Sequence, residues 1–330
     1  MPLTGLLLLA EILVRAFREP FWFGSYRELR LDLMRRNYPA VLDDTLGYAP
    51  KPDFASHDNH WGTQVTIDGD GLRSNGDGPR PDGPLIVAVG DSFTFGDQVD
   101  DDETWPAALE RQLGRPVKNG GVFGYSLTQT VLRGEQLMDR LHPEVLIVSM
   151  IADDLLRSSY SRRYTNLPVL DFEPDGPGLV LKGVPIDHSA MPPDPQRWWK
   201  DALGHSALID GVLANTARRW WYEDDKQVMI KRLFNRRREL GMRIVDRIAA
   251  ACRARDTRLL LVLQDGWRPD WIVPVLEHAE RTGVEVLDLA LRYKQLAEQD
   301  PSVEQRFFAG HMTPAGNAWV ADQIAARLRD

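Results

Sequence analysis

Ser92 follows the apolar run Leu85-Ile86-Val87-Ala88-Val89 and sits within Gly90-Asp91-Ser92-Phe93-Thr94-Phe95-Gly96. A short continuous apolar run reads as a strand buried on both faces of a parallel sheet. A serine just beyond such a strand lies at the carboxyl edge, where open α/β sheets bind their ligands. Gly90 and Gly96 allow a sharp turn and a close approach of the backbone to a substrate. A serine hydroxyl attacks only when a base takes its proton. Of the seven histidines, His311 is the best placed. It follows the last expected strand, in a loop that opens the final helix at Thr313-Pro314, an N-cap with proline at the first helical position. Acyl transfer also needs donors aimed at a tetrahedral oxyanion. The loop Asn119-Gly120-Gly121-Val122-Phe123-Gly124 ends just before a helix whose Ser126 and Gln129 have capping-box spacing. A glycine N–H at that helix start suits developing negative charge. The serine segment is not the G-x-S-x-G elbow of α/β-hydrolases.

These pieces resemble the sequence blocks of the SGNH (GDSL-type) hydrolases. The resemblance implies that Ser92 is the nucleophile, His311 the base, and Gly124 an oxyanion donor. It also implies a further donor, an asparagine amide after the third strand. Here that strand ends Ser149-Met150-Ile151-Ala152-Asp153-Asp154, so Asp153 stands in the asparagine's place. An ionised carboxylate accepts hydrogen bonds and cannot donate one, so Asp153 would have to stay protonated. The family also carries an aspartate two or three residues before the histidine. Phe307-Phe308-Ala309-Gly310 offers none. A main-chain carbonyl at Nδ1, or Asp265 just past the fourth strand, is the expected substitute for fixing the imidazole tautomer. Asp265-Gly266 also reads as an ordinary turn.

Strand–helix alternation from Leu85 onward predicts an α/β fold: a three-layer α/β/α sandwich around a flavodoxin-like parallel sheet of about five strands. The expected strands are Leu85–Val89, Pro116–Asn119, Val145–Met150, Arg258–Leu263 and Val284–Leu287. The expected helices are Thr104–Leu113, Ser126–Leu141, Arg236–Arg255, Trp271–Arg281, Leu289–Gln299 and Pro314–Arg329. Residues 1–84 read as an N-terminal helix and a loop-rich extension, with a short strand at Gln64–Ile67, and residues 85–330 as the hydrolase-like domain. The connection between the third and fourth strands is too long for a compact crossover. Residues 157–235 therefore read as an insertion, loop-like over Leu167–Pro195 and then helical. Its Trp198, Trp199, Trp220 and Trp221 would pack it onto the sheet domain or form an aromatic lid.

The chain of 330 residues is 43% hydrophobic, enough for a sizeable core. A net charge of -8 argues against a nucleic-acid groove. The single cysteine, Cys252, excludes an intrachain disulfide and a thiolate metal cluster. No cofactor and no metal are expected: the acidic run Asp97, Asp100, Asp101, Asp102, Glu103 lacks EF-hand spacing, and His57 with His60 has no third ligand in view. Arg236-Arg237-Arg238 reads as a solvated helix face.

Leu3–Phe17 is apolar but interrupted by Glu11 and Arg15, and shorter than the about 20 residues that cross a bilayer. Envelope members of the SGNH group have a similar order of parts: an apolar helix, Asp-x-x-Leu-Gly-Tyr, Gly-Leu-Arg and the serine block. The counterparts here are Asp44-Thr45-Leu46-Gly47-Tyr48, one residue shorter or counted from Asp43, and Gly71-Leu72-Arg73. That resemblance implies a cell-envelope location on the periplasmic side of the inner membrane, with membrane association through the N-terminal helix. A cytoplasmic location is the alternative. The expected activity is hydrolysis of an acyl ester, of a small molecule or as an O-acetyl group on a glycan. An acyltransferase acting on an envelope glycan and a non-catalytic binding module are the rivals.

Overall fold

The computed structural model describes residues 3–18, 24–27, 39–59, 61–78, 80–161, 166–174, 176, 178–188, 197–217, 220–221, 235–264 and 266–329. The chain forms two compact units: residues 1–38 with 189–228, and residues 39–188 with 229–330. The boundary differs from the expected one at residue 84, because residues 39–84 pack in the same unit as the sheet.

That larger unit holds five parallel strands: β1 (Ile86–Val89), β2 (Val117–Asn119), β3 (Val145–Met150), β4 (Arg258–Leu263) and β5 (Glu285–Asp288). Their spatial order is β2-β1-β3-β4-β5. Ile86 pairs with Val117 on one side and Val145 on the other, so β1 has a neighbour on each flank. The chain reverses its direction of winding between β1 and β3, and Ser92 follows β1 directly. The crevice at such a switch point is where open α/β sheets take ligands.

Strand residues alternate between two cores. Val87, Val89, Leu146, Val148 and Leu261 face helices Leu127–Leu141, Arg237–Arg253 and Val273–Arg281. Ile86, Ala88, Ile147, Leu260 and Val262 face Trp105–Leu113 and Pro314–Arg329. Strands buried on both faces need the continuous apolar runs seen in the sequence. Helix starts follow the expected chemistry. Ser126 accepts from Gln129 N, and the Gln129 side chain accepts from Ser126 N. Thr313 Oγ1 accepts from Gly316 N.

The segment before the sheet holds two antiparallel pairs, Ala40–Asp43 with Gly47–Pro50 and Phe54–Ser56 with Val65–Ile67. An isolated bridge joins Arg73 to Asn119 at the β2 edge. Within the insertion, the segment read as loop contains a hairpin, Val169–Phe172 with Leu179–Lys182. Flanking Pro, Gly and Asp obscured its alternating Val-Leu-Asp-Phe and Leu-Val-Leu-Lys.

The smaller unit contains α1 (Leu3–Arg18), α6 (Arg197–Gly204) and α7 (Ala207–Thr216), where α2–α5 denote the helices Ser92–Phe95, Trp105–Leu113, Leu127–Leu141 and Ala152–Arg157 of the larger unit. Glu11 of α1 caps the start of α7. It accepts from Ala207 N at 2.9 Å, Leu208 N at 3.0 Å and the Ser206 hydroxyl at 2.7 Å. Desolvation works against these bonds, which still hold its carboxyl down at about 2. Trp199, Trp220 and Trp221 contact one another within this unit, and Trp198 is exposed. Trp221 is fully buried, its indole N–H donates to Asp210, and Trp220 contacts both Trp199 and Trp221. No helix among the described residues is long and apolar enough to cross a membrane.

Candidate active site

The serine turn is built by close packing. Gly90 approaches so tightly that a Cβ there would stand 2.1 Å from Thr94 Oγ1 and 2.7 Å from Ser149 O. Asp91 caps the one-turn helix α2 by accepting from Phe93 N at 3.0 Å. Gly96 closes it in the left-handed region, φ 77°. Ser92 is thereby held at the first helical position, where its backbone N–H has no intrahelical acceptor. Arg73, fully buried, clamps the C-terminal side of this turn. Its guanidinium donates to the carbonyls of Phe95, Gly96 and Val99 and pairs with Asp101 at 3.1 Å. Gly71-Leu72-Arg73 thus acquires a role that its sequence alone did not specify: it holds the turn behind the nucleophile.

The histidine arrives from the other end of the chain. His311 Nε2 lies 2.9 Å from Ser92 Oγ, across 219 residues of sequence. Its ring leans on Phe93, with centroids 5.1 Å apart, and its main-chain N–H donates to Gln98. Burial holds the imidazole below its usual range, with Asp91 raising and Arg157 lowering it further. It is therefore neutral at pH 7. To accept from Ser92 at Nε2 it must carry its proton on Nδ1. The expected main-chain carbonyl at Nδ1 is not found: among the described residues, no acceptor meets that nitrogen. His311 sits in a two-residue strand paired with Ala309 around a tight turn at Gly310, φ 90°. Asp265 lies outside the described residues.

Gly124 has φ 71° and closes the loop that Phe123 begins. That loop is propped by the N-terminal motif. Tyr48 donates its hydroxyl to Phe123 O at 2.8 Å, and Tyr125 donates to Tyr48 O at 2.5 Å. Asn119, fully buried, donates to Thr94 O at 3.0 Å and accepts from Gly121 N at 3.0 Å, which ties this loop to the serine turn.

Asp153 is engaged by the next turn of its own helix. It is half-exposed, and its Oδ2 accepts from Arg157 Nε at 2.8 Å as an ion pair. The i,i+4 spacing along α5 makes that contact available. The buried carboxylate of this segment is Asp154, which caps its own helix by accepting from Ile151 N. Burial and the nearby Asp91 push the Asp154 carboxyl well up, against the pull of Arg157. Arg157 Nη1 reaches Asp154 at 2.8 Å, Asp91 at 3.4 Å and Tyr125 O at 2.8 Å. One guanidinium therefore links α5, the loop before helix α4 and the residue next to the nucleophile. Sequence reasoning missed Arg157. Its signal was a basic residue three and four positions after two acids.

It also passed over Asp97, the first acid of the run after Gly96. Asp97 is 5% exposed, and its Oδ2 is 3.8 Å from His311 Nε2. The rest of the run is structural. Asp100 and Glu103 form a capping box, and Asp101 pairs with Arg73. Among the described residues no group of three or more His, Cys, Asp or Glu could hold a metal; His60 lies outside them. A cavity of about 900 Å³ lined by His57, Asn75, Asp102 and Arg111 contains neither Ser92 nor His311.

The model of the GDSL-like Lipase/Acylhydrolase family matches residues 88–319, well over half of the chain. No curated protein matches. Several solved structures are similar at low identity. LAE5, an alpha/beta hydrolase enzyme from the metagenome of Lake Arreo, is 13% identical, with TM-score 0.42, 74% of this chain covered and 95% of that one. A catalytic mutant of Axe2, an acetylxylan esterase from Geobacillus stearothermophilus, is 12% identical, with TM-score 0.41, 75% and 95% covered. The psychrotrophic esterase EstA from Pseudoalteromonas sp. is 10% identical, with TM-score 0.38, 75% and 97% covered.

Proposed function

We propose that this chain, which belongs to the GDSL-like lipase/acylhydrolase family and so acts on esters, works through an acyl-serine on Ser92. The observation that carries the residue assignment is the 2.9 Å approach of Ser92 Oγ to a neutral His311. In the first half-reaction the Ser92 proton passes to His311 Nε2 while Oγ bonds to the acyl carbon. The carbonyl electron pair moves onto oxygen. Collapse of that oxyanion breaks the bond to the alkoxy group, which leaves with the proton from Nε2. Water repeats the sequence and frees the acid. The backbone N–H of Ser92 and that of Gly124 are the donors we assign to the oxyanion.

Ser92 is only 7% exposed, and Phe93 covers one face of His311. So narrow an approach favours a short acyl group, and an O-acetyl ester of an envelope glycan is the substrate to test first. The reading of location rests on α1. Its Glu11 is consumed in capping α7, and Arg15 pairs with Glu11 at 2.6 Å. The outward residues Leu6, Leu7, Leu8, Ile12, Leu13 and Phe17 are exposed and carry no charge. Such a face supports docking in the plane of a bilayer surface at the cell envelope.

Labelling with a fluorophosphonate probe tests the assignment. The parent should be modified, and Ser92→Ala and His311→Ala should not. A parent that resists the probe and leaves p-nitrophenyl acetate intact favours the second reading, a binding module. That reading draws on Ala309 in place of an acid and on Asp153 in place of an amide.

A further inference from the structure

We propose that Asp97 supplies the carboxylate that His311 lacks on its own strand, as a positioning residue whose charge stabilises the imidazolium formed when Ser92 attacks. This rests on the serine-esterase reading above. Asp97 approaches from the turn after the nucleophile: its Oδ2 lies 3.8 Å from His311 Nε2, the nitrogen that receives the Ser92 proton. Its other oxygen, Oδ1, is buried without a hydrogen-bond partner. A buried polar atom left unpaired lowers stability, so packing gives no reason to keep a carboxylate there. Asparagine has the same shape without the charge.

The turn is rigid. Arg73 holds the carbonyls of Phe95, Gly96 and Val99 around Asp97, and the Thr63 hydroxyl donates to Asp97 O at 3.3 Å. The charged groups facing this pair are few. Asp91 repels Asp97 and Arg73 attracts it, while Asp91 and Arg157 act on His311. Burial first, and then Asp91, raise the Asp97 carboxyl to about 7. Below that pH the Asp97 carboxyl is mostly uncharged. Above it a carboxylate faces a neutral imidazole, and the two become an ion pair only when the Ser92 proton arrives on Nε2. The attraction therefore exists in the transition state and not in the ground state, which is the condition for raising kcat.

The test compares the full chain with Asp97→Asn and Asp97→Glu. With p-nitrophenyl acetate from pH 5 to 9, the parent should show a rising limb near pH 7. Asp97→Asn should lose that limb and about 10- to 100-fold in kcat at pH 8, with KM within about twofold, while Asp97→Glu recovers part of the rate. His311 ring signals, followed by NMR, read the charge directly. The parent should report a step near pH 7 that is absent in Asp97→Asn, and the thermal midpoint of Asp97→Asn should equal or exceed the parent's. Identical His311 titrations, or an unchanged rising limb, overturn the proposal. A parent with no turnover but with the pH 7 step at His311 leaves the charge coupling standing and rejects the esterase reading instead.

Discussion

Replacing Arg157 with methionine tests the guanidinium that ties the site together. The substitution keeps the apolar stem and removes the charge. Asp154, fully buried at 2.8 Å, and Asp91, 1% exposed at 3.4 Å, then face each other without a cation. Breaking a buried pair by deleting one partner costs about 3–5 kcal/mol. Asp153 is half-exposed, so its lost contact adds at most about 1 kcal/mol. For a domain of this size the melting temperature should fall by roughly 6–15 °C at pH 7.5. The sign of the pH dependence follows from Asp154. Its carboxyl is already raised in the folded state, and losing Arg157 raises it further. A group whose folded pKa exceeds its unfolded value stabilises the fold below the unfolded pKa and loses that contribution as pH rises through the folded one. The deficit of Arg157→Met against the parent should therefore be large at pH 7.5 and shrink toward pH 4.5. Circular dichroism melts of both proteins at the two values measure it. A deficit under about 2 °C at pH 7.5, or the same deficit at both, would show that Arg157 does not neutralise buried carboxylates.

Asp153→Asn should alter kcat by less than about threefold, because an exposed ion pair is all it removes; a rise of tenfold or more on an acetate ester would restore the oxyanion role that the Arg157 contact argues against. Glu11→Ala should destabilise the smaller unit by about 1–2 kcal/mol through the lost cap. The Glu11 contribution is present above the usual glutamate pKa and fades as pH falls through about 2, so the parent–variant gap in urea unfolding should close in strong acid. Gly90→Ala must displace Thr94 or the Ser149 carbonyl, at about 1–3 kcal/mol, and the shifted serine turn should lose fluorophosphonate labelling. Full labelling of a stable Gly90→Ala protein would refute the close-packed turn.

Local chemistry explains what could be read before the structure. Val145–Met150 and Arg258–Leu263 are strands over the residues expected, because a doubly buried strand has only one pattern available to it. Leu127–Leu141 begins at its capping box, and Pro314–Arg329 begins at its proline. Ser92 and His311 could be singled out because Ser92 follows a sheet strand directly and His311 lies just before the start of the last helix at Pro314. What stayed hidden depends on contacts between distant residues. Glu11 looked like a break in an apolar helix until α7 was seen to begin against it. Arg157 read only as the first residue of the insertion, although it pairs with an acid 66 positions away. Asp97 was one acid among five, and only its distance to His311 separates it from its neighbours. Residues 1–38 and 189–228 share no periodicity that announces their association.

Arg73 bears on where the catalytic module can be cut. The residues that match the family, 88–319, omit it, together with Tyr48 and the hairpin that carries Tyr48. A polypeptide trimmed to that span would take the Arg73 donor away from the carbonyls of Phe95, Gly96 and Val99, at about 1–3 kcal/mol for each one left buried and unpaired. The Phe123 carbonyl beside Gly124 would lose its donor too. The smallest portable version of this fold therefore begins upstream of the first sheet strand, at the hairpin near residue 39. Homology marks the chemistry of the chain, and hydrogen bonding marks the piece that can stand alone.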